Sequence, residues 1–173
     1  MAQADMFLKL TNIKGESSDA KHKDEIEVLS WSFGASQEGS AHGGTGSGTG
    51  KVKIQDLTIT HYVDQASTDL LKHLTNGKHI DEGMLTVRKA GGTHLEYFKF
   101  KMEQVIVTHI SNGGGAGQDR ITENVTLNFR KFTQIYTPQD AKGSAKPSPT
   151  SPGISPRRPS DGCKFGECDG TRI

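Results

Sequence analysis

Asp119-Arg-Ile-Thr-Glu-Asn-Val-Thr-Leu-Asn-Phe-Arg-Lys-Phe-Thr-Gln-Ile-Tyr136 is the stretch whose reading decides the fold. In steps of two, one face carries Ile121, Val125, Leu127, Phe129 and Ile135. The other carries Thr122, Asn124, Thr126, Asn128, Arg130 and Gln134, with Phe132 and Tyr136 as exceptions. Side chains alternate across a strand, so this pattern predicts a long strand with one buried and one wet face. Its length predicts a bend or bulge. A two-faced strand that finishes the ordered part of a chain can close a β-barrel.

Working outward, Leu95–Ile110 is a second long strand, with Phe98, Phe100 and Met102 on one face and Val105 and Val107 on the other. The run Gly113-Gly-Gly-Ala-Gly117 returns it to the closing strand as a hairpin. Met84–Lys89 reads as a strand leading into the turn Ala90–Thr93. Gln65–Asn76 is the one helical pattern: Leu70, Leu71 and Leu74 form its apolar stripe. Ser67 or Thr68 can cap its start, and Gly77 can end it in the left-handed conformation.

Asp5–Leu10, Glu25–Phe33 and Lys51–Val63 read as the remaining strands, the last two with a change of phase. Between them, Gly34–Gly50 reads as a long Gly-rich loop. It is not a phosphate cradle, because Thr45 takes the first glycine position of that motif and Val52 the hydroxyl position. The expectation is a mainly β protein: an antiparallel β-barrel of two packed sheets with one short helix on it. Adjacent apolar pairs such as Val28-Leu29, Tyr97-Phe98 and Val105-Ile-Val107 leave second faces that one helix cannot cover, which calls for a neighbouring subunit.

Composition separates a body from a tail. All six prolines fall at or after Pro138, and residues 138–173 form a Pro/Ser-rich tail expected to be disordered. Residues 1–137 carry 15 Lys+Arg against 16 Asp+Glu, a neutral body that argues against nucleic acid as a partner. No apolar run is long enough to insert in a membrane, and the N-terminus has no signal-peptide pattern. Cys163 and Cys168, near the end of the tail, could close a small disulfide loop outside a reducing cytosol or remain two free thiols.

The search for chemistry returns no catalytic, cofactor or metal set. The seven histidines (22, 42, 61, 73, 79, 94 and 109) form no ligand-spaced pattern. His79-Ile-Asp-Glu82 reads as a solvated turn, and no serine sits in a nucleophile elbow. Asp24 and Glu25, on opposite faces of a strand, make a poor acid/base couple.

Five separated blocks resemble one family. They are Asp5-Met-Phe-Leu-Lys9 with Lys14-Gly-Glu16, Glu25-Ile-Glu-Val-Leu-Ser-Trp-Ser-Phe-Gly-Ala-Ser-Gln37, Gly50-Lys-Val-Lys-Ile-Gln-Asp-Leu-Thr58 with Gly77-Lys-His79, Leu85-Thr-Val-Arg-Lys-Ala-Gly-Gly92, and Arg120-Ile-Thr-Glu-Asn-Val-Thr-Leu-Asn-Phe129. Over residues 4–137 the chain resembles the haemolysin-coregulated proteins (Hcp) of bacterial type VI secretion.

The resemblance implies a non-enzymatic tube subunit that forms homohexameric rings. The rings stack inside a contractile sheath, meet spike and effector proteins, and pass from the bacterial cytoplasm to the outside or into a target cell. On that reading Ser30 and Ser32 are candidates for the lumen wall that contacts effectors. Gly43, Gly44, Gly46, Gly48 and Gly50, with Gly113, Gly114 and Gly115, are candidates for loops between stacked rings. The alternative is a non-enzymatic adaptor whose tail binds a partner.

Overall fold

A computed structural model describes residues 4–39, 49–89, 95–117 and 119–138. Six antiparallel strands close a barrel in the order β1 (Ala4–Leu10), β2 (Ile26–Ser32), β5 (Leu57–Tyr62), β8 (Thr122–Tyr136), β7 (Glu96–Gly113) and β6 (Ile80–Lys89). The remaining two, β3 (Ala35–Gly39) and β4 (Thr49–Ile54), pair only with each other. The barrel and its one helix agree with the expected fold class. The second sheet is a two-stranded hairpin rather than half of a sandwich.

The hairpin corrects two sequence readings. Residues 34–50 are not one loop, because β3 lies inside them and Gly50 lies on β4. The expected strand Lys51–Val63 is two strands, interrupted at Gln55 and Asp56. Backbone pairing alone explains why alternation missed β3: Ala-Ser-Gln-Glu-Gly has no apolar face to bury, so it carries no periodic signal. Strand β6 likewise begins four residues before the expected Met84, at Ile80, which is buried.

The long hairpin β7–β8 is present as expected and solves the phase problem. Met102 pairs with Phe132, and Val105 pairs with Phe129; all four are buried. Alternation would put the two pairs on opposite faces. Between them Gln104 adopts φ 52, and its amide oxygen accepts a hydrogen bond from Arg130 Nη1 at 3.1 Å. This left-handed residue turns both strands together, so apolar residues of both phases enter one core. Phe132, an exception in the sequence pattern, is thereby a core residue, whereas Ile121 at the start of the strand is exposed.

Strand β2 changes phase by a bulge between Val28 and Ser30. Ile26 and Val28 are core residues, Trp31 packs against that core, and Leu29 is left 41% exposed. The bulge and the Gln104 bend explain how both phases of β2 and β7 enter one core, while Leu29, and Ile106 between the buried Val105 and Val107, still face away from it. Barrel closure also pairs the long strands with one another, and among the described strands only the β3–β4 hairpin lies outside the ring.

Helix α1 (Gln65–Asn76) packs on β7 and buries Ala66, Ser67 and Leu70, with Leu74 half-buried. Leu71, expected on the stripe, is outward-facing. Asp64, not Ser67 or Thr68, is the N-cap: its Oδ1 accepts the Ala66 amide at 2.9 Å, and Ser67 Oγ accepts the Asp64 amide at 3.2 Å. Gly77 ends the helix at φ 60, as its lack of a Cβ permits.

Burial pushes the Asp64 carboxyl above its ordinary value, and nearby His61 together with the helix amides offsets this only in part. Asp64→Ala is expected to cost about 1 kcal/mol through loss of the cap. Asp64→Asn keeps the acceptor with less charge to desolvate, so its denaturant midpoint should stay close to that of the unchanged chain.

Candidate functional site

Across the middle of β2, β5 and β8 the face turned away from the core carries a band of hydroxyl and amide side chains, with Glu27 and Leu29 on β2 and Arg130 on β8 exposed beyond it. Ser30 pairs in register with Thr60, and Ser32 with Thr58. Thr58 in turn pairs with Thr126, and Thr60 with Asn124. Thr58, Thr60, Asn124 and Thr126 alternate with the core residues Leu57, Ile59, Val125 and Leu127, and the bulge after Val28 brings Ser30 and Ser32, on either side of the core-packed Trp31, onto the same outward face. Both serines are exposed.

The band is tied together across the strands. Thr60 Oγ1 donates to Asn124 Oδ1 at 2.7 Å, and the Thr58 and Thr126 hydroxyls are 3.4 Å apart. Thr108 Oγ1 donates to the Thr126 carbonyl at 3.2 Å, and Asn128 Nδ2 donates to Asp56 Oδ1 at 2.7 Å. Asp56 is the one charged member of this set. Such a band presents hydrogen-bond donors and acceptors in both senses.

Among the described residues, the segments that carry the expected loop glycines leave the barrel at opposite ends of β5. The β3–β4 hairpin leaves at the Leu57 end, where the Gln55 amide donates to the Gly34 carbonyl at 2.9 Å. At the Tyr62 end, Gly113 closes β7 opposite Thr122, whose Oγ1 donates to the Gly113 carbonyl at 3.1 Å. Gly114 and Gly115 follow in the exposed connection, where the Arg120 guanidinium lies 4.6 Å from the Tyr62 ring centroid. Gly43, Gly44, Gly46, Gly48, Cys163 and Cys168 lie outside the described residues, as does the tail from 139.

Sequence alternation missed a buried polar pair. Glu123 sits on the same inward row as Val125, Leu127 and Phe129, and His61 on that of Leu57 and Ile59. The two face each other in register, 1% and 0% exposed, with His61 Nε2 3.0 Å from Glu123 Oε2. His61 Nδ1 is buried without a partner among the described residues. The available signal was an acid and a histidine, each in phase with an otherwise apolar row.

Among the described residues no three His, Cys, Asp or Glu side chains cluster so as to hold a metal ion. No helix among them is long and apolar enough to cross a membrane. A surface hollow of about 320 Å³ lies beside His73 and His79, lined also by Thr11, Asp69 and Asp81.

Residues 7–136 match the family described as type VI secretion system effector, Hcp. The chain belongs to the Hcp family. It is 46% identical over 155 residues to protein hcp1 of Pseudomonas aeruginosa, covering 89% of this chain and 96% of that protein. Its fold is similar to a solved type six secretion system protein, with a TM-score of 0.83 at 31% identity, over 88% of this chain and 96% of the other. It is also similar to Hcp1 from Salmonella typhimurium, with a TM-score of 0.73 at 39% identity, over 90% and 96%. Hcp is a family of secretion proteins rather than of enzymes.

Proposed function

We propose that this chain is the inner-tube subunit of a type VI secretion apparatus. In this reading it assembles as homohexameric rings that stack and carry effectors in their lumen. The observation that carries the reading, beside family membership, is the hydroxyl-lined β2–β5–β8 face. A wall past which diverse proteins must move should hydrate well and bind none of them tightly, and an uncharged Ser/Thr/Asn surface does that. Ser30 and Ser32 are its lumen candidates.

Head-to-tail stacking needs two different surfaces at opposite ends of the subunit. The β3–β4 hairpin and the 113–115 connection leave opposite ends of β5, which supports them as the two ring-contact loops. On this reading sheath, spike and effector proteins are the partners, and the chain moves from the cytoplasm out through the apparatus. Cys163 and Cys168 would form a disulfide only after that exit. The tail would then be an accessory segment and not part of the ring.

Electron microscopy with light-scattering mass, on the full chain and on a version ending at Tyr136, tests the assembly. Six-fold rings are expected from both. Monomers in both at concentrations well above micromolar would overturn the tube reading, and rings only from the full chain would make the tail part of the assembly.

A further inference from the structure

Residues 11–25 cross the outer face of β1 and β6 as a strap, and they cover a row that would otherwise face solvent. Phe7 pairs with Thr86 and Asp5 with Arg88 on that face; Phe7, Thr86 and Arg88 are all buried. The strap is folded on itself by four backbone bonds: the Gly15 amide to the Asp24 carbonyl at 2.9 Å, Ser17 to Glu25 at 3.0 Å, Asp24 to Ser17 at 3.0 Å, and Glu25 to His22 at 3.3 Å. Gly15 is needed there, because a Cβ would stand 2.3 Å from the Glu25 carbonyl oxygen.

Besides Thr11 Oγ1, which donates to the Glu82 carbonyl at 3.1 Å, two charged fastenings hold the strap to the barrel. In the first, Asp19 receives both terminal nitrogens of Arg88, at 3.1 and 2.7 Å. The Arg88 hydrogen bonds hold the Asp19 carboxyl well below the usual carboxylate range. A depressed acid contributes stability above its unfolded value and loses it only as pH falls through the folded one, so this fastening stays closed from mildly acidic pH upward.

The second is His22, 94% buried and stacked on Phe7 at 4.4 Å between centroids and 8° between planes. Its Nδ1 lies 2.8 Å from Glu25 Oε2, and its Nε2 faces Glu96 Oε1 at 3.5 Å without a formed hydrogen bond. Burial raises the Glu96 carboxyl, but the Lys99 hydrogen bond and charge outweigh this and bring it below its ordinary value, so Glu96 is an anion here.

A neutral imidazole has one N–H. Between two acceptor-only carboxylates it must aim a lone pair at one of them, whereas an imidazolium donates to both and places its charge over Phe7. We propose that protonation of His22 latches the 11–25 strap onto the barrel and that its deprotonation releases it. The other charges facing this site are Lys21 and Asp19 on the strap, Lys99 on β7, and Arg88 with Asp5 across Phe7. Lys9 and Glu82 line the adjoining cavity of about 280 Å³. None of these side chains ordinarily changes charge between about pH 5 and 8, the window in which histidine titrates.

Release would be felt beyond the strap. Glu16 Oε1 accepts the Gln65 amide at 3.1 Å, and Gln65 Nε2 donates to the Gly15 carbonyl, so the strap also holds the first turn of α1. The latch lies away from the hydroxyl-lined face, and it stands or falls apart from the tube reading.

Amide hydrogen exchange on the full chain tests it, read as protection factors so that intrinsic pH chemistry is removed. Protection at Gly15, Ser17, Asp24 and Glu25 should fall about tenfold between pH 5 and 8 while Phe100 and Leu127 keep theirs. The pH dependence should vanish in His22→Phe and shrink in Glu96→Gln, the latter serving if the former does not fold. Nitrogen NMR of the His22 ring should report an imidazolium at pH 5. Strap protection independent of pH, an unchanged pH response in both variants, or a neutral ring at pH 5 would overturn the latch.

Discussion

Glu123→Ala is expected to destabilise the barrel by about 3–5 kcal/mol, far more than a surface acid would. Glu123 and His61 are side by side in the core, 3.0 Å apart, and the inward rows on both strands are otherwise apolar. Removing the acid strands a buried imidazole that already has one nitrogen without a partner. It also leaves a cavity.

The same argument predicts an asymmetry. His61→Leu alone leaves a buried carboxylate without a donor and should cost as much. The double change His61→Leu with Glu123→Leu removes both polar groups and should recover most of the loss. Guanidinium unfolding at matched protein concentration reads all three. Single substitutions that cost under about 0.5 kcal/mol, the ordinary surface range, would mean that the pair is not buried in solution. A double change as costly as the sum of the singles would mean that the two residues do not act on each other.

The second large effect is expected at Phe100. Its ring is fully buried and lies 4.7 Å from Phe33, 5.3 Å from Phe132 in a stack, and 5.7 Å from Phe129 edge-on. Phe33 follows β2 at the base of the β3–β4 hairpin, so this cluster joins the hairpin base to the β7–β8 bend. Phe100→Ala should cost about 3–5 kcal/mol from lost transfer and the residual cavity.

Phe100→Leu keeps most of the volume but loses the ring contacts, each about 0.5–1.5 kcal/mol beyond area, and should fall between. A Phe100–Phe132 double-mutant cycle separates the stacking from the cavity. Coupling near zero would reduce Phe100 to a space-filler, and a cost for Phe100→Ala below that of Phe100→Leu would contradict the cluster as described.

Much of this molecule was legible in its sequence. Alternation located β1, β2, β7 and β8. The leucine pattern with Gly77 located α1 to the residue, and the Gly-rich run at 113–117 marked the β7–β8 turn. Periodicity works there because each segment has one face against the core, and burial writes a period of two or 3.6 into the residue types. The outward row of Ser30 and Ser32 was visible for the same reason.

Tertiary structure decided the rest. Whether Val105 and Phe100 share one core or need two depends on a single φ of 52 at Gln104, and nothing in the residue type of a glutamine announces that angle. Strand β3 exists because β4 offers it backbone partners, and backbone hydrogen bonds leave no trace in side-chain pattern. Glu123 is tolerable in an apolar row only because barrel closure sets β5 beside β8 with His61 opposite it. His22 becomes a candidate latch only when residues 25 and 96, far apart in the chain, meet on its two nitrogens. Local sequence encodes which side of an element is apolar. Which elements face each other, and hence which polar groups find partners, is settled when the barrel closes.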